Sequence, residues 1–216
     1  MAPTMTTPDA PTLPAYDLDE PLLAEVRATG RLAWRAYAFP RIEVVLGRGS
    51  RADRELHAEA CAAAGAPVTR RRGGGCAVVL DPGNAVVAVV APMKGFGDLG
   101  RQWDRLTAWL IEALASVGCP GLSRQGVSDL CVGDRKVGGA CLYRTADLLY
   151  YATTILVTPD VGRMTRYLAH PPREPAYRRG RAHADFVTTV ARSPADSAAA
   201  LAADLARAPA PPDPGR

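Results

Sequence analysis

Two short stretches of this chain combine glycine with fixed positive charge: Arg70-Arg71-Arg72-Gly73-Gly74-Gly75-Cys76-Ala77 and Gly133-Asp134-Arg135-Lys136-Val137-Gly138-Gly139-Ala140. Glycines let a backbone approach a ligand closely, exposed N–H groups bind anionic oxygens, and Arg and Lys supply charge. Each stretch lies between apolar runs, and together they describe a site for an activated carboxylate or a nucleotide phosphate. In the first, an arginine can pair bidentately with the anion while the backbone wraps an acyl chain or phosphate. The same three arginines are also what a solvated basic turn would show. In the second, Lys136 precedes Gly138-Gly139 and follows the acidic turn Gly133-Asp134. A lysine held against permissive backbone can neutralise charge developing on a carboxylate or phosphate. Only Lys94 and Lys136 are lysines among the 26 basic residues, so a compact ammonium has been kept here in a chain that otherwise uses arginine.

Other candidates surround these two. Asp129 can orient Lys136 or touch a magnesium ion at a phosphate, or can simply cap a turn. Cys131 and Cys141 flank Lys136: positive charge lowers a thiol pKa and would favour a nucleophile, whereas small buried strand residues would look the same. His183 has no partner that the sequence identifies and is assigned a structural role. Arg163, Arg166, Arg173, Arg178, Arg179 and Arg181 face a single acid, Glu174, in a proline-containing stretch that reads as a mobile surface segment able to close over an anion or dock an acidic protein.

The elements that must hold these residues follow from local pattern. Leu22–Ala28 and Asp98–Val117 read as helices, the second capped by Asp98 and carrying Leu99, Trp103, Leu106, Leu110 and Leu114 at helical spacing. Arg51–Ala64 reads as one helix ended by Gly65, and helices are expected from Asp160 to Leu168 and from Pro194 to Ala206. Strands are expected at 32–37, 41–46, 76–80, 85–91, 130–132 and 148–157, with Asp81-Pro82-Gly83-Asn84 closing a hairpin. The pattern predicts an α+β domain, a mixed β-sheet flanked by helices. Residues 1–15 and 207–216 are rich in Pro and Ala and read as disordered tails around a single domain at 16–206.

At 216 residues with 48% hydrophobic content the chain can bury a substantial core, and its net charge of +4 does not argue for nucleic acid. No apolar run is long enough to span a membrane, no secretory signal is visible, and no His/Cys spacing suggests a structural metal. Five cysteines without paired spacing fit a reducing cytoplasm.

In this order the motifs resemble the lipoate–protein ligase family. That family has Arg-Arg-x-x-Gly-Gly-Gly, a strand and an Asp-x-Gly-Asn turn, matched by Arg70 to Asn84. It then has Asn-Asp-Leu and Asp-Arg-Lys-x-x-Gly-x-Ala, matched by Ser128-Asp129-Leu130 and Asp134 to Ala140, and a Thr-Leu-Leu strand matched by Thr154-Ile155-Leu156. The resemblance implies the biotin/lipoate protein ligase fold. It implies activation of lipoate or octanoate with ATP and Mg to an acyl-adenylate, and transfer to a lysine of an acceptor lipoyl domain, expected to be acidic. Carried over by position, Arg70, Arg71, Gly73, Gly74, Gly75, Cys76, Ala77, Asn84, Gly138, Gly139 and Ala140 would line the acyl and adenylate pocket, with Lys136 and Asp129 catalytic. Four positions depart from the family pattern: Cys76 for a glycine, Leu80 and Tyr151 for histidines, and Ser128 for an asparagine. No C-terminal accessory domain is expected, so a separate subunit would supply it, or the chain would transfer a preformed adenylate. The other readings are a cysteine acyltransferase working without ATP, a degenerate binder of lipoyl domains, and a biotin ligase.

Overall fold

The computed structural model describes residues 13–93, 98–190 and 197–213. The first half of the chain runs α1 (Glu20–Thr29), β1 (Ala33–Ala38), β2 (Glu43–Leu46), α2 (Ala52–Glu55), α3 (Ala58–Ala63), β3 (Val68–Arg70), β4 (Val78–Leu80) and β5 (Asn84–Pro92). The second half runs α4 (Leu99–Ser116), β6 (Leu122–Gln125), β7 (Asp129–Val132), β8 (Arg135–Arg144), β9 (Leu148–Leu156), α5 (Val161–Tyr167), α6 (His183–Phe186) and α7 (Ala198–Leu205). Six strands form an antiparallel sheet in the order β1-β5-β9-β8-β7-β6, and β3-β2-β4 form a small mixed sheet.

The large sheet has different covers on its two faces. Val87, Val89, Tyr151 and Ile155 point toward α4 and α7, where Leu106, Leu110, Leu114, Leu201 and Leu205 complete the main core. Asp98 starts α4 as its residue type predicts, accepting from Arg101 N at 3.1 Å, and Trp103 packs edge-on against Tyr151. Leu99, in the first turn, stays 39% exposed rather than joining this core. On the opposite face, Leu22, Leu23 and Val26 of α1 cover Ala88, Val90 and Tyr150, while the small sheet brings Val45 and Leu80 onto Val86. With both faces covered, β5 is buried from Asn84 to Ala91, which explains its unbroken apolar sequence.

Several local expectations change in the assembled fold. The Asp81–Asn84 turn forms, with Asn84 N bonded to Asp81 O at 2.9 Å, but it closes no hairpin. β4 pairs with β2, whereas β5 pairs with β1 and β9, so the turn hands the chain from one sheet to the other. Helix 51–64 is two short helices, because Leu56 is extended (φ −121°, ψ 148°) and bridges to Leu168. The lysine-glycine stretch is not a loop: beyond the Gly133-Asp134 turn it is β8. The tails also shorten. Pro14 O accepts from Arg70 N and Arg70 O from Tyr16 N, both at 2.9 Å, and Pro209 O accepts from Trp109 Nε1 at 2.9 Å. Residues 1–12, 94–97, 191–196 and 214–216, which include the rest of both expected tails, Lys94 and Pro194, lie outside the described residues.

Candidate active site

Between the α1-bearing face of the large sheet and the small sheet lies a cavity of about 280 Å³. Its floor is made where β8 is thinnest. Gly139 and Cys141 stand opposite Thr154 and Ala152 of β9, and residues paired directly across antiparallel strands share a face. Gly138 cannot carry a side chain, since a Cβ there would sit 2.5 Å from Thr154 O. Val45 and Val78 of the small sheet form the roof.

The charged end belongs to Lys136. Its Nζ lies 2.6 Å from Asp129 Oδ1, and the side chain crosses Gly139, where a Cβ would come within 3.0 Å of that nitrogen. The pairing of β7 with β8 produces this contact: Asp129 is opposite Gly139, and a register shift at Leu130/Cys131 sets Lys136 opposite Cys131. The second oxygen of Asp129 accepts from the Tyr177 hydroxyl at 2.7 Å. Both carboxylate oxygens are therefore engaged, which leaves Asp129 poorly placed as a lone magnesium contact. Among the described residues no cluster of His, Cys, Asp or Glu could hold a metal ion.

The opposite end is apolar, backed by a buried polar network. Tyr150 lies four residues along β9 from Thr154, roughly 13 Å at strand spacing. Its hydroxyl donates to Asp19 Oδ2 at 2.5 Å, Arg35 and Tyr37 hold Asp19 Oδ1, and Tyr16 reaches Tyr37 at 3.2 Å. Tyr16 and Tyr150 both line the cavity.

The first glycine-rich segment divides by role. Arg71, Gly75, Cys76, Ala77 and Asn84 line the cavity, as do Gly138, Gly139 and Ala140, but Arg70, Gly73 and Gly74 do not. Arg70 instead donates through Nη1 to Gly47 O at 2.7 Å and Ser50 O at 2.9 Å. Arg71 clamps its own turn, reaching Gly74 O at 2.7 Å, Cys76 O at 2.8 Å and Val45 O at 3.1 Å. Arg72 pairs outward with Glu20 at 2.6 Å. The Arg70 and Arg71 guanidiniums thus satisfy backbone carbonyls of the two glycine-containing turns. Gly73 makes room for Cys141, whose Sγ would be 2.9 Å from a Cβ there.

The basic stretch 163–181 is not a solvated loop throughout. Arg178 is 4% exposed and lines the cavity, its guanidinium 4.7 Å from the Phe186 ring centroid. Burial lowers its pKa from the usual arginine value, and its Nη2 has no hydrogen-bond partner among the described residues. Asn84 is similar: its Oδ1 accepts from Asp81 N at 2.7 Å, while the buried Nδ2 is unpartnered among the described residues. Buried donors left without acceptors are costly, and at a cavity wall they fit an anionic or carbonyl ligand. Sequence reasoning named Arg178 only as one of six arginines of a surface segment able to close over an anion; nothing local separates the buried Arg178 from its exposed neighbour Arg179. The same reasoning missed Glu55, which is buried at the wall and accepts from Ala77 N at 2.7 Å.

Cys131 and Cys141 are strand residues of β7 and β8, Cys131 buried and Cys141 partly so, whereas the half-buried Cys76 precedes β4. Burial raises the pKa of Cys76, Cys131 and Cys141, so none is a standing thiolate at neutral pH. Of the four departures from the family pattern, Cys76, Leu80 and Ser128 line the cavity, whereas Tyr151 faces α4 on the other side of the sheet.

His183 lines the cavity rather than serving only the scaffold, and its pKa falls from 6.5 to about 4 through burial and the nearby Arg178 charge. The unfolded chain then binds more protons than the folded one between pH 6.5 and about 4. This group's contribution to stability is complete above the unfolded pKa and is lost as pH falls through that window. Denaturant melts across it are expected to show stability declining toward acid, with His183→Gln flattening the slope; an unchanged slope would remove His183 as the cause.

Comparison with known proteins settles the family. The lipoyl protein ligase A/B catalytic domain matches residues 12–197 of this chain. The chain belongs to that family. A protein of Aeropyrum pernix, provisionally named lipoate-protein ligase A, is 32% identical over 149 residues; the match covers 69% of this chain and 55% of that protein, so the family member described here spans about half of that relative. A bipartite lipoate protein ligase from Thermoplasma acidophilum, determined in a study that includes its E2 lipoyl domain, superposes with a TM-score of 0.71 at 19% identity, covering 86% of this chain and 73% of that one. A lipoate-protein ligase A bound with ATP superposes at 0.67 with 20% identity, over 85% and 74% of the two chains. Both likenesses establish the ligase fold for this family member. No described helix is long and apolar enough to cross a membrane.

Proposed function

We propose that this chain is the catalytic domain of a lipoate–protein ligase, joining lipoate or octanoate to ATP as an acyl-adenylate and passing the acyl group to a lysine of a lipoyl domain. The observation that carries this reading is the ammonium of Lys136, fixed by Asp129 across Gly139 at one end of the cavity. An acyl chain fits the stretch toward Tyr150 and Tyr16, with its carboxylate at Lys136. A carboxylate oxygen attacks the α-phosphorus and pyrophosphate leaves; the acceptor amine then attacks the acyl carbonyl and AMP leaves with the bonding pair. Lys136 and the unpartnered Nη2 of Arg178 offset negative charge on the carboxylate and phosphate oxygens, a role that static, water-poor donors fill well. Asn84 Nδ2 supplies a further donor at that end. Mg would accompany the nucleotide, since this chain offers no cluster of its own among the described residues.

The exposed Arg173, which lines the cavity, suits an acidic acceptor. The bipartite Thermoplasma ligase makes a separate accessory subunit a reasonable partner here. All five cysteines are free, in keeping with a reducing cytoplasm. The test is intact mass of an apo lipoyl domain after incubation with the protein, lipoate or octanoate, and Mg-ATP. Mass gain that depends on ATP is expected. Gain only with preformed lipoyl-adenylate would mean a transferase half that needs its partner for activation, and no gain with either would overturn the reading.

A further inference from the structure

The 3-10 turn Ala176–Arg178 brings Tyr177 from a remote part of the chain onto the Asp129–Lys136 pair. Its hydroxyl donates to Asp129 Oδ2 at 2.7 Å and accepts from Cys131 Sγ at 3.3 Å. Its ring lies 5.3 Å from Phe186, and its carbonyl accepts from Arg181 Nη2 at 2.9 Å. The same Arg181 Nη2 donates to Asp134 O at 2.8 Å, tying this segment to the turn that begins β8. Gly126 allows the approach: a Cβ there would press on Pro175 at 3.3 Å.

A carboxylate is a rigid plane, so holding one oxygen fixes the other. Oδ2 is held by Tyr177 and Oδ1 holds Lys136. Without the phenol, Asp129 could turn about its side-chain bonds and carry the ammonium off the line set by Gly139. Burial and the Asp129 charge raise the Tyr177 pKa well above that of a free phenol, so the hydroxyl stays a donor.

We propose that Tyr177 is a positioning residue, which through Asp129 holds the Lys136 ammonium at the charged end of the cavity and so couples seating of residues 169–182 to readiness of the lysine. Its part in acyl transfer rests on the function proposed above; its hold on Lys136 does not. The chain's two lysines make this measurable without activity. Acetylation by a mild acylating reagent, followed by peptide mass mapping, reads Lys136 with Lys94 as internal reference.

Tyr177→Phe keeps the ring and removes the hydroxyl. It is expected to raise the Lys136 labelling rate about tenfold, the lower end of the scale for a lost hydrogen bond to a charged partner. Asp129→Ala is expected to raise it at least as much, and adding Tyr177→Phe to Asp129→Ala is expected to change it less than about twofold, the signature of two residues acting in one chain. In turnover, Tyr177→Phe should lower kcat about tenfold with KM for the acyl acid little altered. Unchanged labelling in Tyr177→Phe, or equal increments in the presence and absence of Asp129, would overturn the inference. So would a raised KM with kcat intact, which is what loosened packing of the segment alone would produce. If labelling behaves as expected but no variant and no wild-type protein transfers an acyl group, the proposed function falls and the hold on Lys136 stands.

Discussion

Lys136→Ala is expected to reduce acyl transfer by about 10²–10³-fold, the usual effect of removing one preorganised donor to a developing anion. The fold should survive. Lys136 is 27% exposed at its side chain and Asp129 12%, so the pair is only partly desolvated, and Asp129 keeps the Tyr177 hydroxyl. Losing the lysine should cost about 1–2 kcal/mol of stability. Charge alone should not restore function. Lys136→Arg places a broad guanidinium where the Cβ position of Gly139 already lies 3.0 Å from the ammonium, and a loss of at least about tenfold is expected. Intact-mass assays of the acceptor with circular dichroism melts decide the matter: a folded Lys136→Ala protein transferring at the wild-type rate would remove Lys136 from the chemistry.

The second large effect is on stability, at Gly47. A Cβ there would lie 1.9 Å from the carbonyl oxygen of Gly75, a contact between two backbones that no rotamer can relieve. The same seam is sewn by Ser50 Oγ donating to Gly75 O at 3.0 Å, Arg48 N to Gly73 O at 2.9 Å, and Arg70 Nη1 to Gly47 O at 2.7 Å. Gly47→Ala must therefore push the cavity-lining turn away from its support. We expect about 3 kcal/mol of destabilisation, at the upper end of ordinary overpacking, and a fall in Tm of about 6–12 °C for a domain of this size. Gly49→Ala, two residues on, meets nothing within 4 Å and should change Tm by no more than about 2 °C. Equal melting temperatures for the two variants would show that the close approach of the glycine-rich turns is not what holds the site.

Much of the scaffold was legible from local pattern, because the forces involved act within a few residues. The Asp98 cap of α4, the Asp160 start of α5 and the left-handed Gly65 that follows α3 (φ 60°) need only their own neighbours. Partner choice was not legible. A turn such as Asp81–Asn84 looks like a hairpin from its residue types, yet Asp81 also accepts from Asp160 N at 2.9 Å, and Gly83 packs its Cα where a Cβ would be 2.0 Å from Thr158 O. Those contacts, made across the chain, steer β4 and β5 into different sheets.

Residue type and spacing by themselves singled out Lys136, Asp129 and the two glycine-rich segments as candidates for a site for an activated carboxylate or a phosphate, since only small residues admit close backbone approach and only a few types carry suitable charge. The tertiary structure alone decided which of them line one cavity. It turned Arg70 to the loop carbonyls, buried Arg178 with a nitrogen that has no partner among the described residues, and set Tyr177 against Asp129 and Tyr150 against Asp19. Sequence pattern records what a residue can do, but hydrogen-bond satisfaction and burial depend on segments far apart in the chain, and these are resolved only when the sheets and the segment above them pack together.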